Sequence, residues 1–157
     1  MNERQKWQHL FQFDLWCTRK LCDHFLKNSP FAQETACIAF TSHIINAQQI
    51  WYFRVLGQES GKNLTLWTEY SLSDIKKHAQ KAHKKWLNLI ADHEINLDTD
   101  IYYKNSNGVD FHNSILQICQ HLIVHGQYHR AQISIFLRKC DIIPPQIDYE
   151  HYLGINH

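Results

Sequence analysis

Three histidines, His121, His125 and His129, recur at four-residue intervals in HLIVHGQYHRAQI (residues 121–133). The segment around them, through Ile115, Ile118, Leu122, Ile133 and Phe136, otherwise reads as one apolar helix face. Residues four apart on a helix are offset by about 40° in azimuth and about 6 Å along the axis. The rings of His125 and His129 therefore project to one side and can converge on one point. Neutral imidazole offers a lone pair to a metal ion, and two histidines at this spacing occur in helical zinc motifs. The chemistry this pattern offers is metal coordination. Gly126 lies beside these two histidines in the sequence. A glycine inside a helix costs up to about 1 kcal/mol relative to alanine, which makes sense where another group must approach closely.

Catalytic zinc-like centres use three protein ligands and keep a further position open, so a third ligand must come from elsewhere. His43 is the candidate. It is the one histidine between residues 25 and 77 and falls in the stripe Ala36, Phe40, His43, Ala47, Ile50, which points it at the same interior. Small residues nearby, Ala39 and Ala47, would let the two helices come close. Each ring also has an ordinary reading, as a core histidine bonded to a carbonyl or a neighbouring side chain. That reading is weaker for the His125/His129 pair, because stacked imidazoles repel when charged and each needs a partner when neutral. His121, at the edge of the stripe, is assigned to the polar surroundings of the ligands rather than to ligation. Arg130 follows a candidate ligand and either orients an anionic group or points to solvent.

No other chemistry stands out. The remaining histidines, among them His78, His83 and His93 on a lysine-rich helix, and His9, His24, His112, His151 and His157, are read as surface residues. Trp16, Trp51, Trp67 and Trp86 are read as core. The five cysteines, Cys17, Cys22, Cys37, Cys119 and Cys140, contain no CxxC pair, and reduced, mostly buried thiols are expected. GxSxG, P-loop, GxGxxG and HExxH patterns are absent from the sequence, which leaves serine nucleophiles, nucleotide handling and ordinary zinc proteases without support. No catalytic residue and no general base can be assigned.

Four helical segments must position these rings. Periodicity predicts helices over about residues 3–27, ending at the Asn-Ser-Pro of 28–30, and about 32–56, ending at Gly57. A third begins after a cap at Ser71 or Ser73, and a fourth covers about 112–139. Between the last two, DTDIYYKNSNGVDFH places β-branched and aromatic residues on both sides of Asn-Gly, a hairpin signal. The closing DIIPPQIDYEHYLGINH reads as an extended tail. The expectation is an all-α four-helix bundle with a small β-hairpin before the last helix, forming a single domain over residues 1–157. Sixteen basic and fifteen acidic side chains leave a net charge of +1, which argues against nucleic acid and anionic membranes as partners. With neither a signal-like start nor a long apolar run, a soluble cytoplasmic protein is expected.

The segments FDLWCTRKLCDHF (13–25), SHIINAQQIWYFRVLG (42–57) and HLIVHGQYHRAQI resemble the recurrent blocks of the DinB/YfiT-like family of metalloenzymes, and PPQIDYEHYL resembles its closing segment. A translesion polymerase shares the name but nothing else carries over from it. The most specific part is a histidine on the second helix followed some eighty residues later by H-x-x-x-H-R-[small]-Q. The resemblance implies an up-down-down-up bundle, often a homodimer, holding a divalent ion such as zinc or nickel on His43, His125 and His129. The family often has glycine where this chain has Ala131, and close helix packing is expected to survive there. Members with assigned roles include transferases and isomerases that use low-molecular-weight thiols. The expected function is metal-dependent thiol transfer to an electrophilic small molecule. A metal-dependent hydrolase, or a bundle that binds a metal or small molecule without turnover, is the alternative.

Overall fold

The structure, a computed structural model, describes residues 1–58, 65–104 and 107–155. Its elements in order are α1 (Glu3–Asn28), α2 (Glu34–Val55), α3 (Ile75–Ala91), β1 (Asp100–Lys104), β2 (Asp110–Ser114), α4 (Ile115–Arg138) and α5 (Tyr149–Ile155). Capping boxes start two of the long helices. Asn2 with Gln5 opens α1, and Ser114 with Gln117 opens α4. Because the hairpin runs through to Ser114, α4 begins later than the sequence suggested. The start of α3 is also later: Ser71 accepts from the Asp74 N–H in a preceding turn, and the helix itself begins at Ile75. Gly57, at φ +65°, takes the left-handed conformation that ends α2.

Cross-helix pairs fix the directions. Phe11 stacks on Trp86 while Asp23 pairs with Lys76, so α1 and α3 are antiparallel. Trp51 meets His121 while Phe40 meets Phe136, so α2 and α4 are antiparallel. Ile45 clusters with Ala79 and Tyr52 packs on Trp86, so α2 and α3 run parallel. Phe11 clusters with Ile118, and Leu21 with Ile133 and Leu137, so α1 and α4 are also parallel. The chain therefore goes up, down, down, up, the expected bundle. Trp86 anchors one end of the core at 0% exposure. Burying a side chain of that size removes roughly 150–250 Å² from water, worth about 4–6 kcal/mol.

Parallel α2 and α3 need a connection that travels back along the bundle. Residues 65–74 do so against α2. The Asn46 amide donates to the Thr68 carbonyl at 2.6 Å, its oxygen accepts from the Tyr70 hydroxyl at 2.6 Å, and Ser42 Oγ accepts the Tyr70 N–H at 3.1 Å. Most of the polar GQESGKN stretch, residues 59–63, lies outside the described residues. At the far end, β1 and β2 pair antiparallel from Asp100↔Ser114 to Lys104↔Asp110.

The tail departs from expectation. Pro144 and Pro145 do keep residues 142–148 out of helix, but α5 forms immediately afterwards. Asp148 accepts the His151 N–H at 3.0 Å, and Tyr152 is buried against Phe13 and Trp16 of α1. Prolines forbid helix only where they stand. Ala131 is exposed, so the expected packing role at that position is not met. Among the described residues, no helix is long and apolar enough to cross a membrane.

Candidate metal centre

His43, His125 and His129 come together. Each offers one ring nitrogen, and these lie within 4.8 Å of one another. His125 Nε2 stands 3.1 Å from His43 Nε2 and 3.1 Å from His129 Nε2. Two nitrogens bound tetrahedrally to one zinc-like ion at 2.0–2.1 Å would be about 3.3 Å apart, close to these separations.

Hydrogen bonds on the far sides of the rings orient the lone pairs. His43 Nδ1 faces the Leu66 carbonyl at 3.0 Å, so it carries the proton and leaves Nε2 as a bare acceptor. His129 Nδ1 lies 2.7 Å from Gln132 Oε1, with the same consequence. His125 Nε2 can donate one proton to one of these neighbours, and the other 3.1 Å contact is then left with no proton between its two nitrogens. A cation resolves both contacts at once. The donor set therefore fits a divalent ion, and among the described residues no carboxylate or thiol joins it.

The surroundings favour the neutral forms of His125 and His43. Burial pushes His125 down to about 3, helped by the neighbouring charges of His129, His43 and His121 and opposed by Asp14. Burial also lowers His43, against the Leu66 carbonyl, which raises it. One wall is aromatic: Trp67 stacks on His43 with ring centres 4.1 Å apart, and Phe40 packs 5.4 Å from His129. Tyr128 meets His129 edge-on at 5.0 Å. Trp67 is thus a wall of the site at 54% exposure, not core as the sequence suggested. Nothing local marked it, since its position depends on where the crossover lies.

Behind His125 is a buried polar cluster. Asp14, at 0% exposure, forms an ion pair with Arg130 Nη1 at 2.6 Å and accepts from His83 Nε2 at 2.7 Å and from the Gln48 amide at 2.7 Å. Arg130 Nη2 donates to Thr18 Oγ1 at 2.8 Å and to the Asp14 carbonyl at 3.0 Å. Burial alone would raise Asp14, but Arg130 and His83 hold it well below the usual carboxylate range.

Two expectations change here. Arg130 is 1% exposed and committed to Asp14, so it neither points to solvent nor faces a substrate. His83 is wholly buried rather than on the surface, with Nδ1 2.8 Å from the Ala79 carbonyl. Its position four residues after Ala79 and three before Trp86 was a signal for burial that the surface reading, based on the surrounding lysines, left unused. Asp14 and Gln48 were missed. A lone aspartate between Phe11, Phe13 and Cys17 was the available signal for the first. His121 lies one turn from His125 with ring centres 5.4 Å apart, exposed and outside the cluster. His157 lies outside the described residues.

Comparison with known proteins places these features in a family context. The model of the DinB family matches residues 6–156. No curated protein and no solved structure matches the chain.

Proposed function

This chain belongs to the DinB family, and from that premise we propose that it is a metal-dependent enzyme transferring a low-molecular-weight thiol to an electrophilic small molecule, with zinc or nickel on His43, His125 and His129. The observation that carries this reading is the pair of 3.1 Å contacts at His125 Nε2, which one proton cannot satisfy together. A divalent ion held by these imidazoles would supply a positive charge that lowers the pKa of a bound thiol or water.

The chain's own residues orient and enclose. The Leu66 carbonyl and Gln132 hold His43 and His129 in the tautomers that aim Nε2 inward. Trp67 and Phe40 pack against the His43 and His129 rings on one side. In the transfer, the thiol proton leaves to solvent, sulfur forms a bond to the electrophilic carbon, and the leaving group departs with its bonding pair. No carboxylate of the chain is assigned as a base, since Asp14 is committed to Arg130 and His83.

The deciding experiment is metal analysis of untagged protein beside His43→Ala and His129→Ala, with glutathione conjugation to chlorodinitrobenzene as the activity. Wild type is expected to carry about one ion per chain and both variants far less. Conjugation should disappear with the metal. Equal metal content in all three proteins, or equal conjugation with and without metal, overturns the reading. Turnover of esters or amides in place of conjugation would favour a hydrolase, and an ion with no exchangeable position a binding role.

A homodimer is part of the same proposal. Val124, Tyr128 and Ile135 lie along one side of α4 at 62%, 63% and 52% exposure, an apolar stripe that a second copy could cover. Light scattering at micromolar concentration tests it, with a monomer counting against it.

A further inference from the structure

A cavity of about 180 Å³ opens between α2, the hairpin and α4, lined by Trp51, Tyr103, Asn113, Gln117, Ile118 and His121. His121 links it to the imidazole cluster, its ring centre 5.7 Å from that of Trp51 and 5.4 Å from that of His125.

The polar groups of this cavity are unevenly used. The Tyr103 hydroxyl donates to Asn113 Oδ1 at 2.8 Å, and Gln117 Oε1 accepts from Asn113 Nδ2 at 3.3 Å and from the Ser114 N–H at 3.0 Å. Both amide oxygens are thereby engaged. The Gln117 Nε2 group and the His121 ring have no hydrogen-bond partner among the described residues. Beside them, the Arg54 guanidinium carbon lies 4.7 Å from the ring centre of Trp51 and 5.3 Å from that of Tyr103. Among the described residues no carboxylate pairs with Arg54, and none lines the cavity. A recess with spare donors, a neighbouring cation and no anion suits an acceptor of negative charge, a carboxylate above all.

We propose that this cavity is the subsite for the carboxylate end of an extended ligand whose other end lies at His43, His125 and His129. Gln117 and His125 are separated by about 12 Å along the helix axis. An extended peptide covers roughly 3.3–3.6 Å per residue, so the ligand class is an acid of about tripeptide length. The identity of the other end as a thiol rests on the function proposed above, whereas the carboxylate subsite does not.

Calorimetric titration with glutathione and glutathione diethyl ester tests the subsite, with metal content measured on the same samples. Wild type is expected to bind the acid about tenfold tighter than the diester. Gln117→Glu keeps the oxygen that caps α4 but replaces the free donor with a negative oxygen, so it should abolish that preference with metal content unchanged. Arg54→Gln should weaken the acid alone, by a smaller factor. No preference in wild type, or an unchanged preference in both variants, overturns the proposal. If the protein holds no metal, the function proposed above fails. The same titration with S-methylglutathione and its diester, which need no metal, then decides the subsite separately: a preference for the acid that Gln117→Glu abolishes supports it, and no preference overturns it.

Discussion

Gly126 and Asp14 are packed so closely that a Cβ on the glycine would stand 2.8 Å from Asp14 Oδ1, and 2.9 Å from Nη1 of Arg130. The mid-helix glycine between two candidate ligands thus makes room for a buried ion pair behind the cluster. Alanine would gain about 1 kcal/mol of helix propensity. Against that, it would push on a carboxylate already held by three partners, and overpacking costs about 1–3 kcal/mol before any loss of the ion pair. Gly126→Ala is expected to be less stable by about 1–3 kcal/mol in urea denaturation. A variant as stable as wild type would mean that the cluster yields easily.

Asp14 ties stability to acid. Its folded pKa lies below the unfolded value of 3.8, so its contribution is fully present above that value and is lost as pH falls toward the folded pKa. Stability should therefore decline on acidification from about pH 5 downward. Asp14→Asn removes the titrating group and leaves Arg130 buried without its counter-charge, at a cost of about 3–5 kcal/mol near neutrality. Its stability should also vary less with acid than that of wild type. Urea midpoints for both proteins between about pH 3 and 7 give the comparison, and parallel curves would count against the assignment.

The crossover should matter to the metal through Asn46. Removing its amide in Asn46→Ala frees the Thr68 carbonyl and the Tyr70 hydroxyl, and with them the segment that presents the Leu66 carbonyl to His43. Loss of such an outer partner typically weakens metal affinity about 10–100-fold. Competition with a chromogenic chelator measures it, with circular dichroism confirming that the helices persist. Unchanged affinity would show that His43 keeps its orientation without the crossover.

Thiol labelling reports on the core. Burial pushes Cys17, Cys22, Cys37 and Cys119 each up to about 12, whereas Cys140 is partly exposed. The thiolate is the reactive form. Ellman's reagent at pH 8 is expected to modify Cys140 quickly in native protein, and all five cysteines only after denaturation. Rapid native labelling of Cys119 or Cys17 would indicate an interior more open than described.

The long helices and the three candidate ligands could be read from the chain because their signals are local. A stripe with three- and four-residue steps identifies both the helix and its buried face, and His43, His125 and His129 each lie on such a stripe. The Asn-Gly turn announced the hairpin in the same way. His83 and Asp14 were not readable with equal ease. A polar residue on or beside an apolar stripe is buried only if another helix brings it a partner, and here α1, α2, α3 and α4 contribute Asp14, Gln48, His83 and Arg130 to one point. The short α5 depended likewise on a pocket for Tyr152 made by α1.

By itself, then, the amino-acid order determined four amphipathic helices and the inward placement of His43, His125 and His129, since periodicity is a property of neighbours along one chain. Only the tertiary structure decided that three rings meet at 3.1 Å contacts, that Trp67 and the Leu66 carbonyl close over His43, and that Arg130 is spent on Asp14. Those outcomes depend on the parallel alignment of α2 with α3 and on the crossover it requires. Distances between residues far apart in sequence are set by how faces pack together, which no single stripe encodes.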